Sequence, residues 1–499
     1  MKSFLPILLF LPILAAGQLT LSPVFSDHMV MQRDAPLRIW GKGIPGKKIS
    51  VSFDKQKHTS IVQKDSSWII ALKSMRASLN PLTLTISSGK DRIRLNDILV
   101  GDIWICSGQS NMEWPLQNEM HWKDEKLQAS QPLVRLNNPP PVGRYVYGVP
   151  YNDSLNRRLN SKDFYEWNTW QQCDSNSAKS MSAIGYYFAK AIVQEENIPV
   201  GIINLSIGGA PIETFISQGS LSHDKRFALK VKGNWLYNNS LPEWTRERGL
   251  QNVGINTKGF SDGAGPNHAY KPGFAFESGV RPLSNFPIKG VLWYQGESNS
   301  LDADRVKEYP ALMQVLINDY RRNWNQPKMP FYWVQLSSID TTHYESRLWP
   351  EFRDEQRKLL NEVKYGGIAV CSDIGLRDNV HPTNKKLVGE RLSRWALNQV
   401  YGKTIIPSGP LPMKAVYQEG NIIVSFQYSD GLKTADGTSL SGFSIDGTND
   451  AKAIIRHNKI IIPSGQKPAY VFYGWKPFSD ANLVNNEMLP ASTFKIPVK

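Results

Sequence analysis

Ser110 stands in the run Ile105-Cys106-Ser107-Gly108-Gln109-Ser110-Asn111-Met112-Glu113-Trp114. An apolar stretch, Ile98-Leu99-Val100 through Ile103-Trp104-Ile105, precedes it and reads as a buried strand. A serine at a strand-to-helix turn has an exposed hydroxyl beside backbone N–H groups that can hold an anion, which suits a nucleophile. The same position also suits an ordinary helix cap. Three more polar clusters follow apolar runs: 206–213 with Gly208-Gly209, then Gln295-Gly296-Glu297-Ser298-Asn299, then Ser372-Asp373 with Asp378-Asn379-Val380-His381-Pro382. These types are what acyl transfer needs. A serine hydroxyl needs a base to take its proton, and His381 carries an imidazole that titrates near neutrality. Asp378 is spaced to orient that ring and stabilise its protonated form. Donors for a tetrahedral oxyanion are at hand in the Ser110 N–H, the Gly209 N–H and the Gln295 carboxamide.

Each cluster has a bland alternative: a turn at Gly208-Gly209, loop hydrogen bonding at Gln295 and Glu297, a helix start at His381-Pro382. Four of them falling in order after strands favours a common site. The elements that must position them are the strand candidates at 200–205, 290–294, 331–336 and 367–371, with helical periodicity at 183–193, 306–320 and 387–397. Near-continuous apolar strands alternating with amphipathic helices predict an α/β fold, a mostly parallel sheet with helices on both faces. Ligands in such sheets bind beyond the carboxyl ends of the strands. Short alternating segments punctuated by Gly and Pro predict an N-terminal β domain over 18–96 and a C-terminal β domain over 401–499, flanking an α/β domain over 97–400.

The chain has 499 residues, 58 Lys and Arg against 44 Asp and Glu, and a formal net charge of +14. The positive charge is scattered. There is no zinc-ligand spacing and no Gly-rich phosphate loop, so nucleic acid is not an expected partner. Lys2 followed by an apolar run at 4–14 and Ala15-Ala16-Gly17 reads as a secretory signal over 1–17, and no later segment is long and apolar enough for a membrane span. An exported chain follows, periplasmic or extracellular. Three cysteines, Cys106, Cys173 and Cys371, make an odd count and read as buried thiols rather than a disulfide framework.

At GDIWICSGQSNMEW, IGGAPIE, GVLWYQGESN and DNVHPTNKKLVGERL the chain resembles the SGNH/GDSL hydrolases, specifically the sialate O-acetylesterase family of carbohydrate esterases. The resemblance covers roughly 97–400. It implies an SGNH-type sheet, Ser110 as nucleophile, His381 as base and Asp378 as its partner, with Asp373 competing for that last role. It also implies an oxyanion hole from Ser110, Gly209 and Gln295, where the wider superfamily usually carries an asparagine. Asn111, Glu213, Glu297 and Arg353 are candidates for substrate contact or support, a structural salt bridge being the simpler role for Glu213 and Arg353. The segment 272–282 departs from the family's wording and is expected to line the pocket. The implied substrate is an O-acetylated sialic acid or glycan, hydrolysed without metal or organic cofactor. Alternatives are an acetylesterase for xylan or pectin, a carbohydrate-binding protein with a decayed esterase domain, and a lipase or thioesterase with a greasy acyl channel.

Overall fold

The computed structural model describes residues 18–254, 259–342 and 344–499; the expected leader at 1–17 lies outside them. The architecture is α/β. Six strands form the centre of a mixed sheet: β1 (Asp91–Gly108), β2 (Gln131–Asn137), β3 (Val200–Asn204), β4 (Gly290–Tyr294), β5 (Phe331–Val334) and β6 (Gly366–Ala369). Their spatial order is β2-β3-β1-β4-β5-β6, all neighbours parallel, and Gln171–Cys173 closes the β2 edge antiparallel. From β1 the chain passes to the far strand β2, returns inward to β3, then crosses β1 to run outward through β4, β5 and β6, so β1 and its two neighbours mark the switch point where an open parallel sheet forms its crevice.

Helices cover both faces, as the alternation along β5 shows. Side chains of adjacent strand residues point to opposite sides. The Tyr332 hydroxyl reaches the Trp395 carbonyl of one helix (Lys386–Gln399), while the neighbouring Trp333 indole donates to Gln356 O, 3.0 Å away on another (Trp349–Lys358). Trp104 packs edge-on against Phe188 of Ala183–Glu196 on the Tyr332 side, and Phe331 packs against Tyr320 of Ala303–Asn323 on the other.

The N-terminal strands do not stand apart from this sheet. β1 runs unbroken through the expected boundary at 96/97, and its first half pairs with Ser78–Ser88, which pairs in turn with Lys48–Phe53. Val51, Ile86 and Trp104 belong to one continuous hydrophobic core. The polar Asn96-Asp97 pair reads as a break because Asp97 takes a left-handed φ of +54° inside the strand, where it holds His28 and Arg135. The chain bends there but does not stop. The C-terminal strands from Leu411 onward do have a core of their own, with Ile422, Val424, Ile460, Val471 and Phe494.

Arg353 ties that C-terminal unit to the sheet. It is fully buried, and its guanidinium donates to Gly474 O (3.1 Å), Pro477 O (3.3 Å) and Lys476 O, and to Ser338 Oγ (3.1 Å). Its partners are carbonyls and a hydroxyl, so it forms neither the salt bridge nor the substrate contact expected of it. Burial without a carboxylate pulls its pKa down to about 9. Cys106, Cys173 and Cys371 are buried and unpaired, and no helix among the described residues is long and apolar enough to cross a membrane.

Replacing Arg353 with Met preserves length but leaves the buried Gly474 carbonyl and the partly buried Lys476 carbonyl without a donor, and Pro477 O with only the Ile339 N–H. The expected cost is about 3 kcal/mol, read as a lowered Tm with the C-terminal strands becoming the first protease-sensitive region. An unchanged Tm would rule out the clasp.

Candidate active site

The parallel pairing of β1 with β4 sets Gly108 opposite Tyr294, and the Gln109 N–H donates to Tyr294 O at 2.9 Å. Gly108 has φ +127°, and a Cβ there would lie 2.1 Å from Tyr294 O, so the approach needs glycine. The chain then turns into a four-residue helix, α1 (Ser110–Glu113), with Ser110 as its first residue. Only Ser110 of this helix reaches the surface; Asn111, Met112 and Glu113 are buried. His381 comes from the loop after β6, and its Nε2 stands 2.8 Å from Ser110 Oγ. The imidazole lies nearly parallel to the Trp114 ring at 5.4 Å between centroids. The His381 N–H is taken by Asn379 Oδ1 at 2.8 Å, which fixes the loop locally.

The groups expected to donate to an oxyanion lie on neighbouring strand ends. The N–H groups of Ser110 and Gly209 meet no acceptor among the described residues. Gly209 sits at φ +71°, and a Cβ there would lie 2.5 Å from Tyr270 Oη. The turn is held on both sides: Tyr270 Oη donates to Gly208 O (2.9 Å) and Ser298 Oγ to Gly209 O (3.0 Å). Gln295 Nε2 donates to Asn299 Oδ1 at 2.7 Å and only weakly, at 3.4 Å, to Ala210 O. The second proton is therefore close to the Gly209 turn and easily drawn to a stronger acceptor.

Behind these groups lie two buried polar chains. In one, Lys230 Nζ pairs with Glu213 Oε1 (2.9 Å), Glu213 Oε2 accepts from Asn299 (3.1 Å), and Asn299 accepts from Gln295. Burial pushes the Glu213 carboxyl up, but Lys230 more than compensates and holds it below the usual range. Glu213 thus forms the anticipated salt bridge, and through Asn299 it also orients Gln295. In the other, Asn111 Nδ2 donates to Glu297 Oε1 (2.5 Å) and Val380 O (3.0 Å), while Asn111 Oδ1 accepts from Lys385 Nζ. Asn111 and Glu297 are enclosed, so both support the site from behind. Lys385 also lies 5.6 Å from the ring centroids of both Trp114 and Tyr294.

The two aspartates part company. Asp373 is clasped by Arg391 at 2.7 and 2.6 Å. Asp378 is exposed and makes no hydrogen bond or ion pair to His381 among the described residues. The expected contact is absent because Arg377 and Asp378 run along the outside of the loop, and only Val380 and His381 turn inward against Asn111 and Ser110. With no carboxylate beside it, burial and then the Lys385 charge pull the His381 pKa down to about 4. Burial likewise pulls Lys385 down to about 7, against the attraction of Glu297.

A narrow cleft of about 20 Å³ adjoins the Gly208 turn; Glu113, Arg144, Arg248 and Tyr270 line it, with Tyr145 and Tyr147 exposed at its mouth. The 272–282 segment does not; it folds into a short π-helical turn with Phe276 and Val280 buried beneath. Lys385, Asn299, Trp114 and the cleft tyrosines escaped the sequence reading. Lys385, Asn299 and Trp114 had a signal, since all three stand inside the matching blocks.

Similarity to known proteins converges on the same region. Residues 275–398 match the family described as carbohydrate esterase, sialic acid-specific acetylesterase. Over 445 residues the chain is 25% identical to mouse sialate O-acetylesterase, covering 82% of this chain and 78% of that one. The human enzyme is 26% identical at 82% and 76% coverage. The crystal structure of a carbohydrate acetylesterase from Xanthomonas citri superposes with a TM-score of 0.77 at 29% identity, covering 96% of this chain and 99% of that one.

A base must be neutral to accept a proton, and a lowered pKa keeps His381 neutral down to about pH 4. kcat/KM for a neutral ester should hold level from pH 8 to 5 and fall only below that. Lys385→Met removes one of the two causes of the low value, so its acid limb should move to higher pH. A wild-type limb near pH 6.5 would refute this electrostatic account.

Proposed function

We propose that the chain is a carbohydrate esterase of the sialate O-acetylesterase kind and that it removes O-acetyl groups from sialic acids through an acetyl-Ser110 intermediate. Ser110 Oγ attacks the acetyl carbonyl carbon while His381 Nε2 takes its proton. The tetrahedral oxyanion is met by the Ser110 and Gly209 N–H groups and by the Gln295 proton released from its weak contact with Ala210 O. The bond from the acetyl carbon to the sugar oxygen breaks, and His381 returns the proton to that oxygen. Water, deprotonated by His381, then attacks acetyl-Ser110, and acetate leaves as Ser110 Oγ is reprotonated. The observation that carries this reading is the 2.8 Å contact between His381 Nε2 and Ser110 Oγ at the mouth of the sheet crevice.

Asp378 completes the triad in this proposal by swinging to His381 Nδ1 as substrate seats, since catalytic hydrogen bonds often tighten only in the Michaelis complex. Asp373 is the less favoured partner in this reading, since Arg391 holds both its oxygens. We also assign residues 1–17 to an export signal and place the enzyme in a periplasm or outside the cell. The sheet is of the SGNH type in this reading, with β regions at 18–96 and 401–499.

The test is acetate release from O-acetylated sialic acid and from acetylated xylan, side by side. Ser110→Ala should lose more than about a thousandfold. Gln295→Ala should lose about a hundred- to a thousandfold in kcat. Asp378→Asn should lose more than about tenfold, and Asp373→Asn less. Release from xylan alone would keep the mechanism and overturn the substrate; glycan binding without release from either would leave a binding protein.

A further inference from the structure

We propose that Arg248 is an anion anchor at the mouth of the cleft beside the Gly208 turn, and that it takes the carboxylate of an acidic sugar whose acetyl group lies at Ser110. The inference deepens the esterase reading above and rests on it. Arg248 stands on the helix Glu243–Val253 and lies over the Tyr147 ring at 4.6 Å. Its Nη1 is buried and has no hydrogen-bond partner among the described residues. A buried guanidinium nitrogen without an acceptor is costly, and native proteins seldom leave one idle.

The charges lining the cleft do not balance. Glu113 is the carboxylate of its wall and is already bonded to Arg144. His268, also in the wall, is held neutral by burial and by Arg248 itself, its pKa pulled down to about 3. One positive charge is therefore left over, on the side chain that has a free nitrogen. A planar guanidinium fork fits a carboxylate better than any neutral sugar hydroxyl.

The anchor is joined to the acyl site by a short wall. A Cβ on Gly208 would lie 3.2 Å from Tyr147 Oη and 2.9 Å from Glu113 Oε2. Gly208 immediately precedes Gly209, and Tyr270 Oη bonds its carbonyl. Tyr147 is exposed at the cleft mouth, under Arg248 and beside Gly208, whereas Tyr270 is buried with its hydroxyl on Gly208 O. In this proposal a sugar seats over Tyr147 at the mouth, its carboxylate towards Arg248 and its acetyl group towards Ser110. Neutral acetylated xylan brings nothing for Arg248 to hold, whereas sialic acids and uronic acids both do.

The test uses competition against 4-nitrophenyl acetate hydrolysis by the full chain, comparing N-acetylneuraminate with its carboxyl methyl ester and galacturonate with galactose. At least one free acid should inhibit tenfold or more tightly than its uncharged counterpart. Arg248→Gln should abolish that preference and Arg248→Lys should keep part of it. The ratio of kcat/KM for O-acetylated sialic acid over 4-nitrophenyl acetate should fall at least tenfold in Arg248→Gln, mostly through KM. Preference for N-acetylneuraminate identifies a sialic acid carboxylate, and preference for galacturonate a uronic one. Equal inhibition by acid and uncharged partner, failure of both acids to inhibit, or an undiminished preference in Arg248→Gln would overturn the anchor. Should Arg248→Gln fail to fold, the wild-type comparison decides alone. An acid preference without release of acetate from sialic acid would sink the substrate assignment and leave the anchor standing. Acetate release without an acid preference would do the reverse.

Discussion

The parallel register between β1 and β4 is the constraint on which the site depends. It sets Gly108 against Tyr294 so closely that no side chain fits between them, and the next residues of both strands then diverge as neighbours. Ser110 leaves one strand end, and Gln295 and Glu297 leave the other. Gln109 stitches the two together, its Oε1 accepting from the N–H groups of Gly296 and Ser298 at 3.3 Å each. A slip of one residue would turn every side chain of the strand to the opposite face and carry Ser110 away from Gln295. The β1–β3 register does the same for Gly209: the Ile207 N–H donates to Gly108 O at 2.9 Å and delivers the Gly208-Gly209 turn beside the nucleophile.

Rigidity behind the reacting groups comes from charges that a purely apolar core would not contain. Burying an ion pair gains little net stability, because desolvation offsets most of the attraction. What Lys230, Glu213 and Asn299 provide is direction, since each group in the chain has its donor and acceptor orientation fixed by the one before. Gln295 at its end can present its amide in only one sense. The Lys385–Asn111–Glu297 chain is less balanced. Burial raises the Glu297 carboxyl despite the Asn111 amide, and one of its oxygens has no partner. Asn111 still binds the nucleophile helix to the histidine loop through Val380 O, so this chain sets the distance between Ser110 and His381.

Much of this was legible in the sequence because it obeys local rules. The strands at 200–204 and 290–294 and the helices begun near 183, 303 and 386 follow apolar runs and 3.6-residue periodicity. Residues just past such strands must meet at one edge of the sheet. Strand β2 was not legible: QPLVRLN is short, contains Pro132 and ends near three prolines. Nor was the continuity of β1, since a left-handed Asp97 inside a strand looks like a turn. The cleft depends on long-range packing alone. Arg144, Tyr147 and Arg248 come from loops and a helix with no shared spacing, and only the folded chain shows which arginine has a carboxylate and which does not.

If His381 is the base of the proposed mechanism, it is a weak one at rest, and this bears on how that reaction is timed. A pKa near 4 makes taking a proton from Ser110 strongly uphill in the free enzyme. The positive charge of Lys385 adds to that cost. Any negative charge arriving nearby works in the opposite direction, because an anion within a few ångströms stabilises imidazolium. The developing oxyanion is one such charge, and Asp378 at Nδ1 would be another. In the proposed mechanism the base therefore strengthens as the substrate seats and the tetrahedral carbon forms. On that proposal Ser110 stays protonated and unreactive until the site is filled, and the selectivity of the base is coupled to occupancy rather than built into the resting pair.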